Sequence, residues 1–208
     1  MIVVVNYGMG NLGAIVNMLH KVGVEAVVSS SVDDIDRAEK LILPGVGAFD
    51  SGMKNLHELG LINTLTMKAM EEKIPTLGIC LGMQLFTKRS EEGKLPGLGW
   101  LDAETVRFNF KNAQENLKTP HMGWNELFMQ KPSYLFHDVH EVPRFYFVHS
   151  YHVVCHEAED VLTTTLYGHE FASSVQRKNI VGVQFHPEKS HRFGLRLLNN
   201  FAGFFGNA

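Results

Sequence analysis

Residues 75–89 read PTLGICLGMQLFTKR. The run PTLGI (75–79) has the length and apolarity of a buried strand. LGMQLFTKR (81–89) reads as a helix, and between the two lies Cys80, with Gly78 before it and Gly82 after it. A strand, an abrupt turn and a helix are the repeating part of a parallel α/β sheet. Two readings of the cysteine compete. A free cysteine is among the most buried residue types, so an incidental core thiol is the plain one. The pattern G-x-C-x-G on a strand-turn-helix is also that of a nucleophile elbow. The paired glycines favour the elbow, because a Cβ at either position would crowd the neighbouring backbone. Cys80 would then sit just before a helix N-terminus, whose positive end stabilises an anion.

The flanking sequence extends the same pattern. IVVV (2–5), EAVVSS (25–30) and KLILP (40–44) are short apolar runs. Helical patterns separate them, from about Asn11 to Lys21 with Ala14, Met18 and Val22 near one face, and over 52–72 with a break near Gly60. Short buried runs alternating with amphipathic helices predict a mostly parallel sheet with helices on both faces, a three-layer α/β arrangement. From about Leu98 to Gln184 the character changes. WLDAETVRFNF, RFYFVHSYHVV, VLTTTLY, FASSVQR and NIVGVQF predict additional, largely antiparallel strands in the C-terminal half. A last helix is expected from about Ser190 to Phe205, with Leu197, Phe201 and Phe205 as its core-facing stripe. FKNAQENLKT (110–119) is the most polar stretch and reads as an exposed loop. No linker or repeat divides the chain, so residues 1–208 are read as a single domain.

Composition removes several functional classes. The chain has 208 residues, 45% hydrophobic and 20% charged, with a net charge of −3 and no basic stripe, so nucleic acid is not expected as a partner. Two cysteines, Cys80 and Cys155, are too few for a disulfide framework, and there is no CxxC pair. No run approaches the ~20 apolar residues of a membrane span, and the N-terminus has no basic region of a signal peptide. A cytoplasmic location without membrane contact is the expectation. His156-Glu157 and His169-Glu170 begin like HExxH, but Asp160 and Ser173 stand where the second histidines should be, so no metal site is expected.

Gly8, Gly10 and Gly13 spell G-x-G-x-x-G between a strand and a helix. A dinucleotide site would also need a carboxylate at the end of the next strand, and that end is Ser29-Ser30-Ser31. A tight turn is the better reading, and no cofactor is expected.

A thiolate nucleophile needs a proton handler. Of the 11 histidines, His57, His137, His140, His156, His169 and His191 read as bland surface residues. His186 ends the strand VGVQF and is followed by Pro187 and Glu188. In an extended segment residues two apart point the same way, so Glu188 could orient the His186 ring and complete a Cys–His–Glu triad. An oxyanion hole needs N–H donors. LPGVGAF (43–49) ends a neighbouring strand, where Gly45 and Gly47 leave the backbone free to turn, and the Leu81 N–H is a second donor.

Taken in order, LPGVGAF, LGICLGMQL, PHMGWNEL, YFVHSYH and VGVQFHPEKS make this chain resemble the class I, triad-type glutamine amidotransferases over nearly its whole length. Within them it is similar to the glutaminase subunits of imidazole glycerol phosphate synthase. The resemblance implies a flavodoxin-like fold and hydrolysis of L-glutamine to glutamate and ammonia through a thioester on Cys80. His186 would act as acid and base and Glu188 would hold it. The Val46 and Leu81 N–H groups would form the oxyanion hole, with the Gly45–Val46 peptide flipping to complete it. Gly45, Gly47, Gln84, Ser150 and Tyr151 would line the glutamine pocket, with Tyr146 and His149 close to it. Ammonia would pass to a (β/α)₈-barrel synthase subunit that makes imidazole glycerol phosphate and AICAR in histidine biosynthesis. Asn11, Met122, Trp124 and Lys189 match positions at the docking surface, although Trp124 also reads as a core aromatic. The long polar stretch before HMGWN departs from that pattern. It is similar to paralogues that supply ammonia to a nucleotide sugar in surface-polysaccharide synthesis. A free-standing cysteine hydrolase of γ-glutamyl compounds is a further alternative.

Overall fold

The computed structural model describes residues 1–110, 117–138 and 141–203. Strand β1 (Ile2–Val5) is flanked by β2 (Ala26–Ser29) and β3 (Lys40–Gly45), and β3 by β4 (Thr76–Cys80), all in parallel register. The residues of these runs alternate between two cores. Val3, Val5, Leu41 and Leu43 pack on one face with α3 (Phe49–Glu58), α4 (Ile62–Thr66) and α5 (Leu81–Leu85). Ile2, Val4, Ile42, Leu77 and Ile79 pack on the other with α1 (Leu12–Lys21) and α6 (His191–Gly203). Burial on both faces is why β1, β3 and β4 are continuously apolar rather than alternating, whereas β2, at the sheet edge, leaves Val27 and Val28 exposed.

The C-terminal half adds antiparallel strands as expected, with one difference. NIVGVQF contributes β12 (Ile180–Val183), which runs antiparallel to β11 (His169–Arg177) but parallel to β4. It is a fifth parallel strand, and it lies directly beside the one that carries Cys80. Beyond β11 the sheet continues through β10 (Val161–Tyr167) to β7 (Phe128–Met129), with β9 (Tyr151–Cys155) and β5 (Ala103–Arg107) attached at β11. RFYFVHSYHVV is two strands rather than one. Ser150 separates β8 (Arg144–His149) from β9, and β8 turns away to pair with β6 (His121–Glu126) in a separate two-stranded sheet.

Several helix limits differ from the sequence reading for local reasons. In α1 the buried stripe is Ile15, Met18 and Leu19, while Ala14 and Val22 are only half-buried. The helix after Cys80 stops at Leu85, where the Thr87 hydroxyl turns back to donate to the Gln84 carbonyl at 2.8 Å. The 52–72 segment begins earlier, at Phe49, and breaks at Gly60, whose φ of +67° is open to glycine. In α6, Leu197 and Phe201 are buried, whereas Phe205 lies outside the described residues, as do His140 and most of the polar stretch after Phe110.

Candidate active site

The elbow is strained at the cysteine itself. Cys80 has φ +53° and ψ −109°, a conformation that L residues rarely adopt and that persists only when the surroundings enforce it. The glycines allow close approach instead. A Cβ on Gly82 would lie 1.8 Å from the Leu43 carbonyl oxygen, and one on Gly78 would lie 2.5 Å from the Phe86 ring and 2.7 Å from the Met83 nitrogen. The first turn of α5 can therefore press against β3.

Sheet register places the remaining parts. Gly45 stands opposite Cys80 across β3 and β4, so the PGVG segment leaves the sheet beside the thiol. Val183 stands opposite Ile79 across β12 and β4, which carries the chain onward past Cys80 to His186. The site lies at the C-terminal ends of parallel strands, where ligands of open α/β sheets bind. His186 Nδ1 pairs with Glu188 Oε1 at 2.8 Å, and both side chains are almost wholly buried. The buried Nε2 has no hydrogen-bond partner among the described residues. Burial alone would favour a neutral ring, but Cys80 and Glu188 outweigh it and push the His186 pKa up to about 10.

A cleft of about 240 Å³ opens in front of Cys80, lined among others by Val46, Gly47, Leu81, Gln84, Ser150 and Tyr151. That volume is small beside the ~300–1,000 Å³ of drug-sized pockets and suits a single amino acid. His149 reaches its wall. Gly45 and Tyr146 do not. Gly45 is wedged behind the cleft, where a Cβ would meet the Tyr7 hydroxyl at 2.4 Å and Leu81 at 2.8 Å. Tyr146 instead faces Trp124, with ring centroids 6.3 Å apart, and Lys189, whose Nζ lies 5.5 Å from its ring centre.

The N-terminal glycines acquire a use here. Gly8 and Gly10 have φ of +80° and +92°, and a Cβ on Gly10 would come within 3.2 Å of the Gly45 nitrogen. Met9 covers Gly47. The turn that spells a dinucleotide motif is a floor beneath PGVG. Asn11 is exposed and caps α1, its Oδ1 accepting from the Ala14 N–H at 3.3 Å. Met122 and Trp124 are exposed on β6, at 61% and 41%, which rules out the core-aromatic reading of Trp124. Its indole stacks on His191 at 5.4 Å.

Sequence reasoning missed four groups at this site, one of them Val148 on β8. Glu92 and Pro120 line the cleft from loops with no periodic signal. Gln184, fully buried, donates through Nε2 to the Cys80 sulfur at 3.6 Å. The spacing rule that linked His186 to Glu188 also applies from His186 back to Gln184, and would have found it.

Behind the cleft, His121, His149 and His152 are buried. His169, read as a surface residue, is half-buried, its Nε2 3.4 Å from that of His152. Burial lowers the pKa of His121 and His152 to about 4 and that of His149 well below its usual value. The unfolded chain, with these rings near 6.5, binds more protons than the folded one between pH 6.5 and about 4. Stability is therefore expected to fall as pH drops through that window. His186 acts oppositely, its contribution present below pH 6.5 and lost as pH rises toward about 10. Thermal unfolding from pH 4 to 10 checks this, with the highest Tm expected near neutrality and a steep decline below pH 6. A Tm unchanged down to pH 4.5 would contradict the acid arm.

Among the described residues no cluster of three or more His, Cys, Asp or Glu is placed to hold a metal, and no helix is long and apolar enough to cross a membrane. The model of the family "Glutamine amidotransferase class-I" matches residues 3–203. The chain is 53% identical over 201 residues to "Imidazole glycerol phosphate synthase subunit HisH 2" of Methanococcus maripaludis, covering 97% of this chain and 98% of that one. It is 49% identical to the protein of the same name in Pseudomonas aeruginosa, again over 97% and 98%. A solved structure described as "Crystal structure of glutamine amidotransferase" superposes with a TM-score of 0.74 at 20% identity, covering 97% of this chain and 99% of that one, and supports the fold. The chain belongs to the class-I glutamine amidotransferases, in the branch that holds the HisH subunits of imidazole glycerol phosphate synthase.

Proposed function

We propose that Cys80, His186 and Glu188 hydrolyse the side-chain amide of L-glutamine, and that the ammonia passes to a (β/α)₈-barrel subunit completing imidazole glycerol phosphate synthase. The observation that carries the reading is the convergence, on one amino-acid-sized cleft, of a strained cysteine and a buried imidazole–carboxylate pair.

The Cys80 thiol passes its proton to His186 Nε2 as its sulfur attacks the amide carbon, and the carbonyl electrons move onto oxygen. The Val46 and Leu81 N–H groups receive that oxyanion; as the first amide of α5, that of Leu81 has no partner inside the helix. The C–N bond then breaks, His186 Nε2 delivers a proton to the departing nitrogen, and a γ-glutamyl thioester remains on Cys80. His186, now neutral, takes a proton from water as the water oxygen attacks the thioester carbon, and passes it to the departing Cys80 sulfur, releasing glutamate and restoring the thiol. Glu188 keeps the ring in the tautomer that both steps need. Glu92 offers the substrate's ammonium a carboxylate on the cleft wall, with one oxygen already held by the Phe49 N–H at 2.8 Å. Gly47, Gln84, His149, Ser150 and Tyr151 surround the rest of the substrate.

Exposed Met122 and Trp124, with Tyr146 and Lys189 beside them, are the proposed docking face, supported by the subunit names of the relatives. Asn11 joins them through α1, which packs on the 187–189 turn. A free thiol at the centre of the reaction suits a reducing cytoplasm. Mixing the chain with its barrel subunit and the barrel's substrate is expected to give glutamate and imidazole glycerol phosphate in equal amounts. Rapid glutamate release by the chain alone, with no gain from any barrel subunit, would favour a free-standing hydrolase. Glutamine-dependent amination of a nucleotide sugar in its place would move the chain to the surface-polysaccharide branch.

A further inference from the structure

A row of buried polar groups runs from the docking strand β6 to the nucleophile, and its hydrogens can be assigned link by link. His149 Nδ1 lies 2.7 Å from the Tyr151 carbonyl oxygen. A carbonyl only accepts, so Nδ1 carries the hydrogen. In a neutral ring Nε2 is then bare and must accept. Its partner, at 3.0 Å, is His121 Nδ1, which therefore also carries hydrogen. His121 Nε2 is left as an acceptor and meets the Asn125 Nδ2 amide at 3.3 Å. Both rings are buried, and burial holds both neutral, as the assignment requires. Beyond the carbonyl the row continues. Gln84 Nε2 donates to the same Tyr151 oxygen at 3.2 Å and to Gln184 Oε1 at 3.0 Å. Gln184 Nε2 donates in turn to the Cys80 sulfur at 3.6 Å.

The strand geometry makes this row a mechanical connection. His121 and His149 are directly opposite in the β6–β8 register, as are Trp124 and Tyr146. Successive residues of a strand face opposite ways. Met122 and Trp124 look outward to the docking face while His121 and Asn125 look inward to the row. One five-residue stretch, 121–125, thus carries both ends of the contact.

We propose that Asn125, His121, His149, the Tyr151 carbonyl, Gln84 and Gln184 form one continuous hydrogen-bond row, with the Tyr151 carbonyl accepting from both sides, that ties β6 to the Cys80 sulfur, and that His121 is a positioning residue for glutamine cleavage. It rests on the reading of the site as a glutaminase. A shift of β6 on docking reaches Cys80 through six named contacts, each buried or half-buried, where an unmade hydrogen bond is costly. His121 touches no substrate. It acts by fixing the His149 ring, and with it the Tyr151 carbonyl on which Gln84 is hung.

Two measurements test this. Nitrogen-15 spectra of the histidine-labelled chain at pH 7 are expected to show His121 and His149 as neutral Nδ1–H tautomers. An Nε2–H tautomer or a cation at either would overturn the chain. In the complex with the barrel subunit, His121→Phe keeps a ring but no hydrogen bond and is expected to lower kcat/KM for glutamine about tenfold or more. His121→Asn retains a donor near the Nδ1 position and should recover part of that loss. Turnover with added ammonium should stay at the wild-type level in both. A kcat/KM within twofold for His121→Phe, or equal loss with both nitrogen sources, would assign His121 to packing alone. Absence of glutaminase activity in the wild-type complex would instead sink the enzyme reading, and the spectra would still decide the chain.

Discussion

Cys80→Ala is expected to remove glutamine-dependent product formation by the complex, by on the order of 10⁴-fold or more, and to leave ammonium-dependent formation intact. The size follows from covalent catalysis. Without the sulfur there is no thioester, and His186 has no thiol to activate. The selectivity follows from location. Cys80 lies at the end of β4, whereas the exposed Met122 and Trp124 that would meet the partner lie on β6. Alanine also keeps the Cβ of the strained position, so α5 should remain seated against β3. Steady-state assays with the two nitrogen sources, on the same preparation, check it. Equal loss with both would mean that the substitution broke the assembly and would count against Cys80 as a dedicated nucleophile.

His186→Ala is expected to cost about 10²–10⁴-fold in kcat for glutamine. The ring serves twice, as acid toward the departing nitrogen and as base toward water, so both halves of the reaction slow. A smaller but same-signed loss is expected for Glu188→Gln, because an amide can turn its N–H toward His186 Nδ1 and reverse the tautomer. The Glu188 carboxylate is nearly fully buried, and among the described residues its Oε2 has no hydrogen-bond partner, so little else there competes for it. Pre-steady-state mixing should show less burst of ammonia in His186→Ala. An undiminished burst with slow glutamate release would confine the ring to the second half of the reaction.

The parts of this site differ in how legible they were in the sequence, for physical reasons. The elbow was readable because strand length, glycine spacing and a following helix are all local features. His186 and Glu188 were readable from their closeness in sequence, although Pro187–Lys189 is a short 3-10 turn rather than the extended chain expected, and that turn is what swings Glu188 onto the ring. The direction of β12 was not readable. An apolar run does not encode whether its neighbour runs parallel, and the pairing of Val183 with Ile79 joins segments about a hundred residues apart. Yet that pairing is what brings Gln184 and His186 to Cys80.

The same limit hid the split at Ser150. RFYFVHSYHVV has unbroken β propensity, and only the pairing of β8 with β6 rather than with β5 divides it. His121 and His149 were therefore read separately, one inside a family motif and one beside the pocket, though they face each other at 3.0 Å. Tyr146 and Gly45 were placed in the pocket by resemblance. Tyr146 belongs to the Trp124 cluster, and Gly45 supports the cleft from behind, where Tyr7 and Leu81 leave no room for a Cβ. Glu92 and Pro120 come from irregular loops, where no pattern announces which way a side chain turns.

The most direct test of the central claim, that Cys80 is the thiol that attacks glutamine, is labelling of the chain, assembled with its barrel subunit, by a diazo-ketone analogue of glutamine, followed by peptide mass spectrometry. Rapid, stoichiometric modification of Cys80, blocked by glutamine and absent from Cys155, is the expected result. Modification of Cys155 instead, labelling of Cys80 that glutamine does not slow, or no labelling at all would contradict it.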